Sequence, residues 1–169
     1  MSESQHICGT PASTIDVDDV WATLRAEAEG IHASEPQLAH LVDDVILSRS
    51  NFAEALGARL SRRLAREDMP RHNMEPLLTG VFEKNPHTVH AAMRDLLAMF
   101  ERDPACFSPL EPLLFFKGFL AMSTYRVAHQ MWKDGRRWLA LYLQSLASEV
   151  FSVDIHPAAR IGCGILLDH

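Results

Sequence analysis

Apolar positions along most of this chain recur three and four residues apart, the spacing that lines one face of an α-helix. In NFAEALGARLSRRLA, the residues Phe52, Leu56, Leu60 and Leu64 share one side; in HTVHAAMRDLLAMFERD, Val89, Met93, Leu96 and Phe100 form a single stripe. The punctuation agrees. Asp16 or Asp18 is placed to cap WATLRAEAEG, which Gly30 is expected to stop. Ser34, followed by Glu35 and Pro36, opens EPQLAHLVDDVIL, and Ser50 precedes the leucine-spaced helix. MEPLLTGVFEK (74–84) is a shorter helix ended by Asn85 and Pro86. After a proline-rich break, DPACFSPLEP (103–112), the stretch LLFFKGFLAMSTYRVAHQMW reads as a helix covered on several sides. Beyond Gly135, RRWLALYLQSLASEVF (136–151) resumes helical spacing through Leu139, Leu143, Leu146 and Val150. Almost nothing before residue 150 resembles a strand. The pattern predicts an all-α domain of several helices over residues 16–152, behind a flexible lead at 1–15.

The last seventeen residues, VDIHPAARIGCGILLDH, keep a different beat. Ile155, Ile161 and Leu167 recur every six positions, with small residues between them and Gly or Pro at the corners. A helix repeats at 3.6 residues and a flat strand at 2, so neither accounts for it. Hexapeptide repeats of this kind mark a parallel β-helix, in which the aliphatic residue of each hexad points into the prism. Residues 153–169 are therefore expected to begin such a β-helix. One incomplete coil has no neighbour to cover its upper edge, and stacked repeats generally need three or more units. The segment is expected to be loosely ordered, or held only by contact with the helices or with another subunit.

Composition narrows the function. The chain of 169 residues is 47% apolar and 22% charged, with a net charge of −6 and scattered basic residues. That argues against nucleic-acid binding, which wants a concentrated positive face; RLSRRLARE (59–67) reads as a solvated helix face instead. Lys117, Arg126, His129 and Lys133 interrupt the apolar stretch, so no membrane span is expected. Cys8, Cys106 and Cys163 are far apart with no CxxC pair, and no disulfide framework or zinc site is suggested. The N-terminus carries no secretory pattern, so a reduced, cytoplasmic protein is expected. His87 and His90 share a helix face without an evident third ligand, and no metal is assigned.

RDPAC (102–106), PLLFFKGF (112–119), YRVAHQMW (125–132) and GRRWLALYLQSLASEVFSVDIHPAARIGCGILLDH (135–169) resemble serine O-acetyltransferase, with WATLRAEA (21–28) the best match nearer the start. The resemblance implies a helical N-terminal domain followed by a left-handed parallel β-helix. It implies acetyl transfer from acetyl-CoA to the L-serine hydroxyl, giving O-acetyl-L-serine for cysteine biosynthesis, with no tightly bound cofactor. Carried over by motif, the catalytic histidine falls on His169 and its orienting carboxylate on Asp154. The serine-binding carboxylates fall on Asp103 and Asp168, beside His169. The resemblance further implies a hexamer, a dimer of trimers, with L-cysteine as feedback inhibitor. It places the acetyl-CoA groove, and a tail that docks into cysteine synthase, beyond residue 169, so that this chain alone is expected not to turn over. Leu120 stands in KGFLA where the family usually has His, and Pro109 where it often has Tyr; both bear on specificity more than on activity class.

The residues suit that chemistry. A serine hydroxyl needs a base to take its proton, and imidazole, with an unperturbed pKa near ~6.5, is the usual one. A carboxylate on the second ring nitrogen fixes the tautomer. His169 follows Asp154 by fifteen residues, which on a β-helix of roughly eighteen residues per coil returns the chain to nearly the same face one layer up. Carboxylates at 103 and 168 suit a substrate ammonium group. Plainer readings stand beside these. Asp103 before Pro104 is also a helix-terminating residue, Asp154 a turn cap, His156 a turn filler and Cys163 a small wall residue. A non-catalytic oligomerisation module is the alternative from another class.

Overall fold

The computed structural model describes residues 19–168, and among them every regular element is helical. The elements are α1 (Val20–Ser34), α2 (Ala39–Val42), α3 (Phe52–Leu64), α4 (Arg71–Lys84), α5 (Pro86–Arg102), α6 (Leu110–Phe115), α7 (Lys117–Lys133) and α8 (Arg137–Phe151). The expected lead at 1–15 and the capping residues Asp16 and Asp18 lie outside the described residues. α1 begins after Asp19, whose side chain makes no cap bond, and runs through Gly30 to Ser34. Gly30 therefore does not stop it: glycine weakens a helix by about 1 kcal/mol, and Leu24 and Ala28, buried on this face, outweigh that. The Ser34-led segment is irregular: a 3₁₀ turn at Pro36–Leu38, α2, then a π turn at Asp43–Leu47 that buries Val45 and Ile46.

Caps account for the sharper boundaries. The Asn51 side chain accepts the Glu54 N–H at 3.0 Å while the Glu54 carboxylate accepts the Ser50 N–H at 2.7 Å, closing the start of α3. The apolar stretch after residue 112 divides into α6 and α7 at the extended Phe116. Two distant side chains tie α6 down. The Glu27 carboxylate accepts the Ser108 hydroxyl at 2.5 Å and the Leu110 N–H at 3.2 Å. The buried Arg59 of α3 donates to the Leu114 carbonyl through Nε at 3.0 Å. Burial, with Arg63 and Arg62 nearby, pushes the Arg59 guanidinium down to about 10.

The leucine stripe of α3 packs as its spacing predicts, with Phe52, Leu56, Leu60 and Leu64 all buried. In α5 the most buried stripe is rotated from Val89, Met93 and Phe100: it runs Thr88, Ala92, Asp95 and Met99. A carboxylate thus occupies the centre of a core face. α7 packs against both α5 and α8, and nearly all of it from Gly118 to Met131 is buried. No helix among the described residues is long and apolar enough to cross a membrane.

Candidate active site

α8 is capped by Ser152, which takes the left-handed conformation at φ 59° and turns the chain out of the helix two residues before Asp154. From there residues 153–168 make no strand pairing among the described residues. They follow α7 instead. Tyr125 donates its hydroxyl to the Ala159 carbonyl at 2.6 Å and accepts the Ile161 N–H at 3.3 Å. His129 lies 2.7 Å from the Pro157 carbonyl through Nδ1; a carbonyl only accepts, so that nitrogen carries the proton. His156 closes its own turn, its Nδ1 accepting the Ala158 N–H at 3.1 Å, and its ring meets Trp132 edge-on at 5.0 Å. Of the arrangements expected for this segment, contact with the helices is the one present.

The strongest tie is ionic. Arg126 of α7 and Asp95 of α5 form a two-pronged pair, Nε to Oδ2 at 2.5 Å and Nη2 to Oδ1 at 2.8 Å, with side chains only 7% and 1% exposed. Each partner also holds the segment. Arg126 Nη2 donates to the Gly162 carbonyl at 2.8 Å, and Asp95 Oδ1 accepts the Ile165 N–H at 2.9 Å. Burial pushes the Asp95 carboxyl up, while Arg126 and the Ile165 and Gly164 amides pull against it. Between these anchors Gly164 turns at φ 72°, a conformation glycine adopts at no steric cost. Its carbonyl accepts a bond from Arg102 at 3.1 Å. Cys106 is buried and free, its thiol raised to about 11 by burial.

The expected site residues sit around this docked segment. Asp103 ends α5 next to Arg102, and its Oδ1 accepts the Ala105 N–H at 2.8 Å, the helix-terminating geometry. Asp154 is exposed, and the Gln144 amide of α8 donates to its Oδ1 at 2.6 Å. Asp168 is exposed at the far end of the segment, after Leu166 and Leu167, which pack against the core. His169 lies outside the described residues, and with it the Asp154–His169 pair. Among the described residues no group of acids, histidines and cysteines is placed to hold a metal.

Pattern reading alone missed Asp95, Arg126, Tyr125 and Gln144. The signal available was a charge opposite the periodicity: an aspartate in the core stripe of α5 and an arginine inside an apolar helix. Each is a buried charge that demands a partner.

A family model described as "Serine acetyltransferase, N-terminal" matches residues 20–124. A rice protein named probable serine acetyltransferase 4 is 47% identical over 159 residues, 94% of this chain and 50% of that protein. The chain thus spans about half the length of such relatives. A structure of soybean serine acetyltransferase complexed with serine superposes with a TM-score of 0.88 at 43% identity, covering 93% of this chain and 65% of that one. A serine acetyltransferase structure in complex with CoA gives 0.87 at 40% identity, covering 90% and 65%. One in complex with cysteine gives 0.84 at 40%, covering 86% and 61%.

Proposed function

The chain belongs to the serine acetyltransferase family, and from that premise we propose that the protein it forms part of transfers acetyl from acetyl-CoA to the hydroxyl of L-serine. The observation that supports the reading is the docking of segment 153–168, which carries Asp154 and Asp168 and whose Gly164 carbonyl is held by Arg102, next to Asp103. In the proposed mechanism Asp103 and Asp168 bind the serine ammonium, and His169 takes the hydroxyl proton as oxygen attacks the thioester carbonyl. Coenzyme A leaves as the thiolate and takes up a proton. Asp154 holds the imidazole tautomer and stabilises the imidazolium; Gln144, already on Oδ1, leaves Oδ2 for the ring. Acetyl-CoA is a co-substrate bound for turnover, and the CoA complex of a similar protein supports that.

The domain division follows the same reading: helices over 16–152, and a left-handed β-helix whose first hexads are 153–169. L-Cysteine, which lacks the reactive hydroxyl but shares the ammonium and carboxylate of serine, competes for the same carboxylates; a similar protein is known in complex with it. The proposed assembly is a homo-oligomer, a dimer of trimers. Trp138 and Phe107, 87% and 83% exposed, are large apolar side chains suited to a subunit contact. Cysteine synthase as a partner and a cytoplasmic location complete the proposal. The test is an assay of the complete protein with serine and acetyl-CoA, following thiol release. Asp154→Asn and His169→Ala should each lower kcat by at least about a hundredfold. An active complete protein that keeps its rate in both variants would sink the assignment.

A further inference from the structure

Gly118, Tyr125 and His129 fall seven and four residues apart, so one face of α7 carries all three. Every one of them meets the segment 157–167. Tyr125 and His129 do so by hydrogen bonds, and Gly118 does so by having no side chain. A Cβ at position 118 would fall well inside contact distance of the Leu167 carbonyl oxygen, which is backbone and has no side-chain freedom with which to yield. Gly118 is buried and lies inside a helix, where glycine is the less stable choice by about 1 kcal/mol relative to alanine. Nothing in the helix itself calls for glycine there. The close approach of Leu167 does, one residue before Asp168. The next helix position after Tyr125 is Arg126, which with Asp95 grips the Gly162 carbonyl and the Ile165 N–H.

We propose that this face of α7, with Gly118, Tyr125 and the Arg126–Asp95 pair, is a seat that sets where Asp168 stands and so tunes serine binding and attack. These four are positioning residues: none is assigned to touch substrate. The proposal rests on the serine acetyltransferase reading above, and Gly118→Ala tests it separately from folding. Alanine favours the helix, so a purely structural Gly118 would tolerate the change or gain from it. A seat would not tolerate it, because the Leu167–Asp168 backbone must shift by more than an ångström, and a displacement of about that size is able to cost about a hundredfold in rate.

The experiment uses the complete protein. Wild type without activity on serine and acetyl-CoA refutes the function reading and leaves the seat without a subject. With an active wild type, Gly118→Ala is expected to keep its helical circular dichroism. Its kcat should fall at least about tenfold and its KM for serine rise about fivefold, with KM for acetyl-CoA within about twofold. Values of kcat and serine KM within twofold of wild type overturn the proposal, and so does an equal rise in both KM values. Should Gly118→Ala fail to fold, Tyr125→Phe decides, since it deletes one hydroxyl and keeps the ring. A rise of about threefold in serine KM alone is expected, and wild-type constants overturn it.

Discussion

Two ionic clusters hold this molecule, and they are built on opposite plans. Near the first helices, Asp44 meets Arg49, Arg62 and Arg71 at 2.9, 2.7 and 2.7 Å, while Glu75 meets Arg49 and Arg71 at 2.5 and 2.9 Å. These side chains are 19–34% exposed, and five charges share five ionic contacts, with the Ser61 hydroxyl accepting from Arg71 at the margin. The second cluster is one pair, Asp95 and Arg126, almost without solvent, in which each partner also bonds backbone of the docked segment. A shared, half-wet network tolerates the loss of a member at its edge, because others and water take over. A dry pair has no understudy. The first region therefore fastens helices to one another redundantly, whereas the second commits two charges to a single placement.

The contrast is breakable in order of effect. Arg126→Ala should cost about 3–5 kcal/mol, because it strands a buried carboxylate and frees the Gly162 carbonyl; urea unfolding with a loss under about 1 kcal/mol would erase the distinction. Asp44 comes next. Burial alone would raise its carboxyl, but Arg71, Arg62 and Arg49 outweigh burial and hold it at about 2, against an ordinary 3.8. A depressed folded value means that the stabilisation is present above pH ~4 and drains away as pH falls toward ~2. The difference corresponds to about 2 kcal/mol at neutral pH, which Asp44→Asn should remove. Acid titration of the variant and wild type should then converge near pH ~2. Single losses at the network's edge, Arg49→Ala or Glu75→Gln, should each cost under about 1 kcal/mol and shrink further in about 0.5 M salt. Gln144→Ala should change stability least, within about 0.5 kcal/mol, since its bond to Asp154 is exposed. Its effect belongs in kcat of the complete protein, which freeing Asp154 Oδ1 should lower; an unchanged kcat would detach Gln144 from the proposed dyad.

Much of the fold is legible in the residues because apolar spacing and caps act locally. The Phe52–Leu64 stripe packs as its period demands, and RRWLALYLQSLASEVF becomes α8 with Leu143 and Leu146 buried. Local rules fail where distant partners decide. Gly30 has the residue type of a stop but continues α1, and Phe116 breaks an apolar run that periodicity leaves whole. At the candidate site, Asp103, Asp154 and Asp168 are recognisable by motif, because substrate chemistry selects residue types at fixed places in a string. What supports them is not so recognisable. Asp95 lies 31 residues from Arg126, and only the packing of α5 against α7 brings the two together. Arg126 in an apolar helix argues against a membrane when read alone; in the fold it holds a turn.

The amides of Ile161 and Ile165 have one further consequence. In an ordinary sheet such protons would be shielded by a neighbouring strand, but here they end on a tyrosine hydroxyl and a buried carboxylate. Their exchange with deuterated solvent would therefore report the docking of two helices far upstream. Those two positions are natural gauges of whether the helical body has closed, readable at single-residue resolution without a substrate in the tube.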